Sequence, residues 1–146
     1  MTSLEECFEN GMLKKCPSDK NKALLSLKLA KENLKDAEIQ LDNGLLKWAF
    51  IAAYTSTFHA ARALLYRDGV KERSHYCLWI YLKEKYRNVI EAKYINELNL
   101  LREQRHRILY GDADLRSKEV ESAEAESALA VAGGFLQTIE KLIKNG

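Results

Sequence analysis

The chain has 146 residues, of which 47% are hydrophobic and 30% are charged, and this composition is typical of one globular domain with a substantial core. Its 23 basic and 21 acidic residues leave a net charge of +2, which excludes a basic surface over the whole chain, so any RNA contact has to be local. Three cysteines without C-x-x-C spacing argue against a zinc site or a disulfide framework and indicate a reducing compartment. The sequence has no apolar run long enough to span a membrane, and its start lacks the basic-then-apolar order of a signal peptide. It therefore predicts a single cytoplasmic domain over residues 1–146, with no metal and no cofactor.

The first half of the chain shows helical periodicity. A short helix is expected over residues 3–11, closed by Gly11. After Pro17, Ser18 is the expected N-cap of a long helix that ends at residues 43–44. The apolar seam of this helix is Ala23, Leu27, Ala30, Leu34, Ala37 and Leu41. Residues 45–68 are apolar on nearly all sides, which predicts a helix in the middle of a bundle.

The second half of the chain continues this pattern. A polar connection over residues 70–73 leads to Ser74, the expected N-cap of a shorter helix, and a further helix runs over about residues 91–110. A polar loop over residues 111–116 precedes Ser117, the expected N-cap of the last helix, in which Gly133 and Gly134 indicate a close crossing or a kink. The expected inner positions of that helix are Val120, Ala123, Ser127, Ala130, Gly134 and Ile139. The sequence therefore predicts an all-α, up-and-down helical bundle of about five helices, four long or medium and one short.

An arginine interrupts the apolar face of the helix over residues 91–110. Leu98, Leu101, Arg105 and Ile108 share one helical face, so a guanidinium stands where a core residue is expected. Burying an unpaired charge costs several kcal/mol, so Arg105 needs a carboxylate, carbonyl groups, water in a cleft or an external anion. An acid of the first long helix, such as Asp36 or Glu38, is the structural alternative to a ligand.

A second polar row lies beside Arg105. Arg102, His106 and Tyr110 are spaced four residues apart, and together with Arg105 they place two cations, an imidazole and a phenol along one edge of the helix.

Three further candidates lie elsewhere. In the central helix, His59 is either a hydrogen-bonded core histidine or a ligand contact, and Arg62 either covers apolar surface or joins the Arg105 site. His75 is expected at the surface or in a helix cap.

Two stretches of the chain resemble the HEPN domain family. The first stretch is residues 53–65, followed by Asp68-Gly69 and Ser74-His75, and the second is residues 101–112. The resemblance as a whole covers about residues 20–144. It implies a bundle of about five helices that is commonly dimeric. Many members of this family are RNA-cleaving toxins or partners of small nucleotidyltransferases encoded beside them.

The family's cleaving motif is an arginine, a polar residue, three variable residues and a histidine, often followed two positions later by a tyrosine. On this chain the arginine position holds Arg105, the polar position His106, the histidine position Tyr110 and the later tyrosine position Asp112. Because a tyrosine is a poor general base at neutral pH, and because His106 lies about 100° round the helix from Arg105, we expect phosphate affinity to survive better than nuclease activity.

The resemblance and the charged helix edge together predict an arginine-centred cleft that binds RNA or a nucleotide phosphate. The candidate binding residues are Arg105, Arg102, His106, Tyr110, Arg62 and His59. The expected partners are a second copy of the chain and a minimal nucleotidyltransferase, in a toxin–antitoxin-like or stress-response system. One alternative is a metal-independent ribonuclease with a degenerate motif, whose candidate catalytic residues are Arg105, Tyr110 and His106. The other is a non-catalytic bundle that binds a partner protein.

Overall fold

The computed structural model describes residues 2–111 and 118–145, which form six helices and a two-stranded antiparallel sheet. The helices are α1 (Leu4–Glu9), α2 (Lys20–Asp42), α3 (Leu46–Asp68), α4 (His75–Lys85), α5 (Ala92–Tyr110) and α6 (Ser122–Asn145), and the strands are β1 (Leu13–Lys15) and β2 (Val70–Glu72). The predicted all-α class is confirmed, with a small sheet added. The six described helices correspond to the six helical segments that the sequence marks out, including separate helices after Ser74 and over residues 91–110, so the predicted total of about five is one too low. The up-and-down order of the helices stays a prediction.

Helix α3 is the centre of the molecule, as its apolar composition predicts, and it packs against α2, α5 and α6. Its alanines allow close approach, and Ala53, Ala60 and Ala61 are fully buried. Two hydroxyl groups join α3 to α2: Ser56 Oγ donates to the carbonyl of Ala30, and Ser26 Oγ donates to the carbonyl of His59, both at 2.7 Å. These two buried hydroxyl groups are therefore satisfied.

The sequence does not predict the β1–β2 sheet, because residues 70–73 have the composition of a polar connection. Val70 pairs with Lys15 in the ladder, and both Val70 and Glu72 are buried, whereas three-residue strands carry too little periodicity to be recognised. Gly69 ends α3 with a φ of 77°, and a Cβ at this position would lie 2.6 Å from the carbonyl oxygen of Cys16. Only glycine fits where α3 turns into β2.

Two of the predicted N-caps are tested by the described residues. Ser74 is confirmed, since its Oγ accepts from the backbone N–H of Cys77 at 3.2 Å. The prediction that Ser18 is an N-cap is wrong, because the side chain of Asp19 caps α2 by accepting from the N–H of Lys22, while Ser18 Oγ donates to the carbonyl of Arg67. The predicted cap Ser117 lies outside the described residues.

The predicted inner face of α6 is mostly wrong. Ala123, Ser127 and Ala130 are exposed, and Ile139 is the one predicted residue among those buried. The buried face is Ala125, Ala128, Ala132, Phe135, Leu136, Ile139 and Ile143. An alanine-rich sequence offers more than one apolar stripe, and the large side chains select the one that faces the core.

Of the close crossing or kink predicted at Gly133 and Gly134, the structure shows a close approach at Gly134. A Cβ on Gly134 would collide with the hydroxyl group of Tyr94 of α5.

A disulfide joins Cys7 of α1 to Cys77 of α4, so the expectation of no disulfide is wrong. The two residues are 70 positions apart in sequence, and their Cα atoms lie 5.8 Å apart. No local spacing signals such a pair, because only the docking of α1 on α4 brings the two cysteines together. Cys16 is a free thiol.

Candidate anion-binding site

Two arginines of α5 lie over aromatic rings of neighbouring helices. The Arg105 guanidinium carbon is 5.7 Å from the ring centroid of Tyr54 in α3, and that of Arg102 is 5.2 Å from the ring centroid of Tyr76 in α4. Arg102 also donates to Asn99 Oδ1 from Nε at 3.2 Å and from Nη2 at 2.9 Å. These contacts hold both half-buried guanidinium groups at the junction of α3, α4 and α5 while their charges stay available.

The ion pair that was the structural alternative for Arg105 does not form. Asp36 and Glu38 are exposed on α2, and across residues 2–111 and 118–145 Arg105 has no carboxylate oxygen within 4.0 Å. Within this part of the chain, the aromatic face of Tyr54 takes the place of an acid. An aromatic ring offsets less of a guanidinium charge than a carboxylate does, so the site keeps a positive potential.

His75, expected at the surface or in a cap, lies inside the cluster, and that expectation is wrong. It is the first residue of α4 and is half-buried. Its Nδ1 lies 2.7 Å from the Tyr54 hydroxyl group, and its ring stacks on Phe58 with 4.1 Å between centroids and 15° between planes. Since the N-cap Ser74 fixes the first turn of α4, the imidazole is held on two sides.

The arginines and the surrounding protein keep this pair uncharged. Burial, and then the charges of Arg105, Arg102 and Arg62, lower the pKa of His75 to about 4. Burial raises the pKa of Tyr54 to about 12, although Arg105 and Arg102 act in the opposite direction. At neutral pH the cluster therefore combines cationic arginines with a neutral tyrosine–histidine pair.

Arg62 joins the cluster and also covers apolar surface, so both of its predicted roles occur. Its guanidinium carbon is 5.6 Å from the ring centroids of Phe58 and Tyr66. Its Nε lies 2.7 Å from Glu72 Oε1, and the Glu72 side chain is 6% exposed. Burial raises the pKa of Glu72, and Arg62 opposes that rise. Arg102 has only a longer contact of 3.7 Å with the exposed carboxylate of Glu103, so Arg62, with its close and buried partner, contributes less net charge than the arginines of α5.

His59 lies at the edge of the cluster without the side-chain hydrogen bond expected of a core histidine. Its Nδ1 is buried and has no partner within the described part of the protein. Burial, followed by the charge of Arg62, lowers its pKa. Its ring meets Phe58 edge-on at 5.5 Å between centroids.

His106 and Tyr110, which the sequence places in the same row as Arg102, form a separate pair. Both are exposed, Tyr110 by 62%, and their ring centroids are 5.0 Å apart. The described contacts of these rings do not extend to the Tyr54–His75 pair. The structure thus brings Arg102, Arg105 and Arg62 together and leaves His106 and Tyr110 outside. Asp112 lies outside the described residues.

Sequence reasoning missed Tyr54, Phe58 and His75 as residues of one site. Tyr54 and Phe58 are four residues apart and share a helical face, and Ser74 marks the start of the helix that carries His75. These signals identify the elements, but the meeting of α3 and α4 decides the contact.

The described residues contain neither a metal site nor a membrane-spanning helix. They contain no group of three or more side chains that could hold a metal ion. None of the helices they form combines the length and the apolar character needed to cross a membrane.

The fold and the cluster define a small helical protein whose arginines surround a tyrosine–histidine pair. The family model for the HEPN domain matches residues 23–142, so the chain belongs to the HEPN family. A UPF0332 protein of Pyrococcus horikoshii is 43% identical over 49 residues, which are 34% of this chain and 34% of that relative. A candidate toxin of Methanocaldococcus jannaschii is 29% identical over 128 residues, covering 81% of this chain and 86% of the relative.

Proposed function

We propose that this protein binds RNA or a nucleotide through its phosphate groups, with Arg105 and Arg102 as the primary contacts. The observation that carries the proposal is the position of both guanidinium groups over aromatic rings. Arg105 has no carboxylate partner among the described residues, so phosphate can supply the missing negative charge. Arginine forms bidentate hydrogen bonds to phosphate, which makes these two side chains suited to a nucleic-acid backbone.

The local charge explains how a chain of net charge +2 can bind a polyanion. Arg102, Arg105 and Arg62 all act on one imidazole, so their fields overlap at that point. The carboxylate of Glu72 lies 2.7 Å from Arg62, whereas Arg102 has the exposed Glu103 at 3.7 Å, so the arginines of α5 keep more of their charge. A phosphate at this junction would gain charge-assisted hydrogen bonds without a basic surface over the whole molecule.

The test is a titration of labelled single-stranded RNA and of ATP against the wild type and the Arg105→Ala variant. Hydrogen bonds to charged groups contribute about 1.5–3 kcal/mol, so the variant should bind about 10–100-fold more weakly. Arg87→Ala is the matched control, because Arg87 is an exposed arginine outside the cluster. No binding by the wild type, or equal binding by the wild type and Arg105→Ala, would contradict the proposal.

The partners are a further part of the proposal. Family membership supports a role beside a minimal nucleotidyltransferase in a toxin–antitoxin-like or stress-response system. Leu25 and Leu29 of α2 are 61% and 44% exposed and could be covered in a homodimer. Sedimentation of the protein alone, and then with a purified nucleotidyltransferase encoded beside it, tests both assemblies. A monomer that does not co-sediment with the enzyme would contradict this part alone.

Ribonuclease activity is a second candidate function. It is favoured by the relative that is named as a candidate toxin and that aligns with most of this chain. The histidine position of the cleaving motif holds Tyr110, so such an activity would need an acid–base group from elsewhere.

A further inference from the structure

The three histidines of the chain differ in what holds them. His106 is exposed beside Tyr110, and His59 has a buried Nδ1 without a partner in the described residues. His75 has a hydrogen bond on Nδ1 and an aromatic ring stacked on its face. A general base needs a fixed orientation, and among the three His75 is the one that this structure orients.

Nε2 of His75 is the ring nitrogen that remains available to accept a proton. Within the described residues, Nε2 of His75 forms no hydrogen bond, and it is not one of the buried polar atoms without a partner. The hydroxyl group of Tyr54 can accept a hydrogen bond from Nδ1–H, and in that tautomer Nε2 carries a free lone pair. A third group that holds one imidazole nitrogen and leaves the other to act as base is the arrangement used in hydrolytic triads.

The charged and titratable groups around His75 come from two helices. Tyr54, His59 and Arg62 face it from α3, and Arg102 and Arg105 face it from α5. Burial and the three arginines keep the imidazole in its neutral, proton-accepting form, and the arginines also attract the phosphate of a substrate. A bound phosphate offsets their charge, so proton uptake by the imidazole becomes easier when RNA is present.

We propose that His75 is the general base of a metal-independent RNA cleavage at this site, with Tyr54 as its positioning residue and Arg102 and Arg105 as the phosphate-binding groups. This inference rests on the proposed function, because it uses the same arginines to place the phosphate. It assigns the acid–base role to α4 and not to the stretch over residues 105–110.

The step is a transesterification within the RNA. The 2′-oxygen attacks the adjacent phosphorus, the O2′–P bond forms and the P–O5′ bond breaks. Nε2 of His75 accepts the proton of the 2′-hydroxyl group, and the leaving 5′-oxygen takes a proton from water. The products are a 2′,3′-cyclic phosphate and a 5′-hydroxyl end, and the imidazolium returns its proton to solvent. The arginines stabilise the extra negative charge on the phosphate oxygens.

The experiment measures single-turnover cleavage of labelled RNA in the presence of a chelator, together with binding of the same sequence carrying 2′-O-methyl groups. General base catalysis contributes about 100- to 10,000-fold, so His75→Ala should lower the cleavage rate by at least about 100-fold. Binding of the uncleavable RNA should persist, and added imidazole should restore part of the rate. Tyr54→Phe should lower the rate and alter its pH profile, because the imidazole loses its orienting partner.

The outcomes separate this inference from the proposed function. Binding that depends on Arg105 but shows no cleavage by the wild type would overturn the role of His75 and leave phosphate binding intact. Cleavage lost in His106→Ala or Tyr110→Phe but kept in His75→Ala would also overturn it. His75→Gln, which keeps a polar group near Tyr54, tests whether loss of activity in the alanine variant comes from misfolding. A fully active, folded His75→Gln variant would contradict the proposal.

Discussion

The two edges of α5 carry similar residues but have different surroundings. Arg102 and Arg105 lie half-buried over rings of α3 and α4, whereas His106 and Tyr110 are exposed and contact each other. The sequence puts all four side chains on adjoining rows of one helix. Helical spacing therefore determines which residues are neighbours, while the packing of α3 and α4 decides which of them are held in place.

The largest expected effect concerns the support of the arginine edge by α4. Cys77 lies in the first turn of α4, beside the residues that contact Tyr54 and Arg102, and the disulfide to Cys7 closes a loop of 70 residues. Loop-closure entropy gives such a cross-link about 4 kcal/mol, so reduction, or the Cys7→Ser variant, should lower the free energy of unfolding by about this amount. Chemical denaturation with and without reductant measures it.

The control for this prediction is Cys16→Ser, which leaves the disulfide in place and should keep the redox dependence. Three reactive thiols in the native, unreduced protein would show that the cross-link is absent. If α4 holds Arg102 and Arg105 in place, reduction should also weaken RNA binding through these two arginines.

The second prediction removes the arginine edge itself. Arg102→Ala combined with Arg105→Ala should weaken RNA binding by about 100-fold, since each guanidinium contributes at least about 1.5 kcal/mol to a phosphate contact. The slope of log K against log salt concentration should become shallower by about 0.7 for each phosphate contact that is lost from single-stranded RNA. A loss of affinity without a change in this slope would mean that the arginines do not contact phosphate.

The sequence predicted the parts of this site that depend on one helix. The neighbouring positions of Arg102 and Arg105 on α5, the cap Ser74 and the central position of α3 all follow from local spacing or composition. The ring contacts join residues that are far apart in sequence, since Arg105 contacts Tyr54 and Arg102 contacts Tyr76, and no local pattern encodes them.

The rest of the fold divides in the same way. The disulfide and the β1–β2 ladder join segments from distant parts of the chain, and neither has a local signature. The prediction of the inner face of α6 is wrong for another reason, because exposed alanines such as Ala123 and Ala130 are as apolar as the core residues beside them.

The third prediction is a pH dependence of stability that comes from His75. Its pKa is about 4 in the folded protein, and the unfolded chain titrates near 6.5, so the unfolded state binds more protons between these values. The contribution of His75 is fully present above pH 6.5 and is lost as the pH falls toward 4. Because the imidazole is half-exposed, we expect about 1–2 kcal/mol and not the full value of the shift.

Denaturation curves recorded between pH 4 and pH 7 measure this effect, and His75→Gln should flatten the dependence. His59 contributes with the same sign, since burial and Arg62 lower its pKa as well, so some dependence should persist in the variant. An unchanged pH dependence in His75→Gln would show that burial and the arginines do not hold the imidazole in its neutral form.

The smallest effect is expected at the exposed edge of α5. The ring pair of His106 and Tyr110 is open to water, and contacts of exposed side chains contribute little to stability, so His106→Ala combined with Tyr110→Ala should change the free energy of unfolding by about 0.5 kcal/mol or less. RNA affinity should also change far less than in the double arginine variant, because neither ring contacts Tyr54 or His75 in the described structure. The same titration measures both variants side by side. Equal losses of affinity would mean that bound RNA reaches both edges, and the distinction between them would then hold for folding but not for binding.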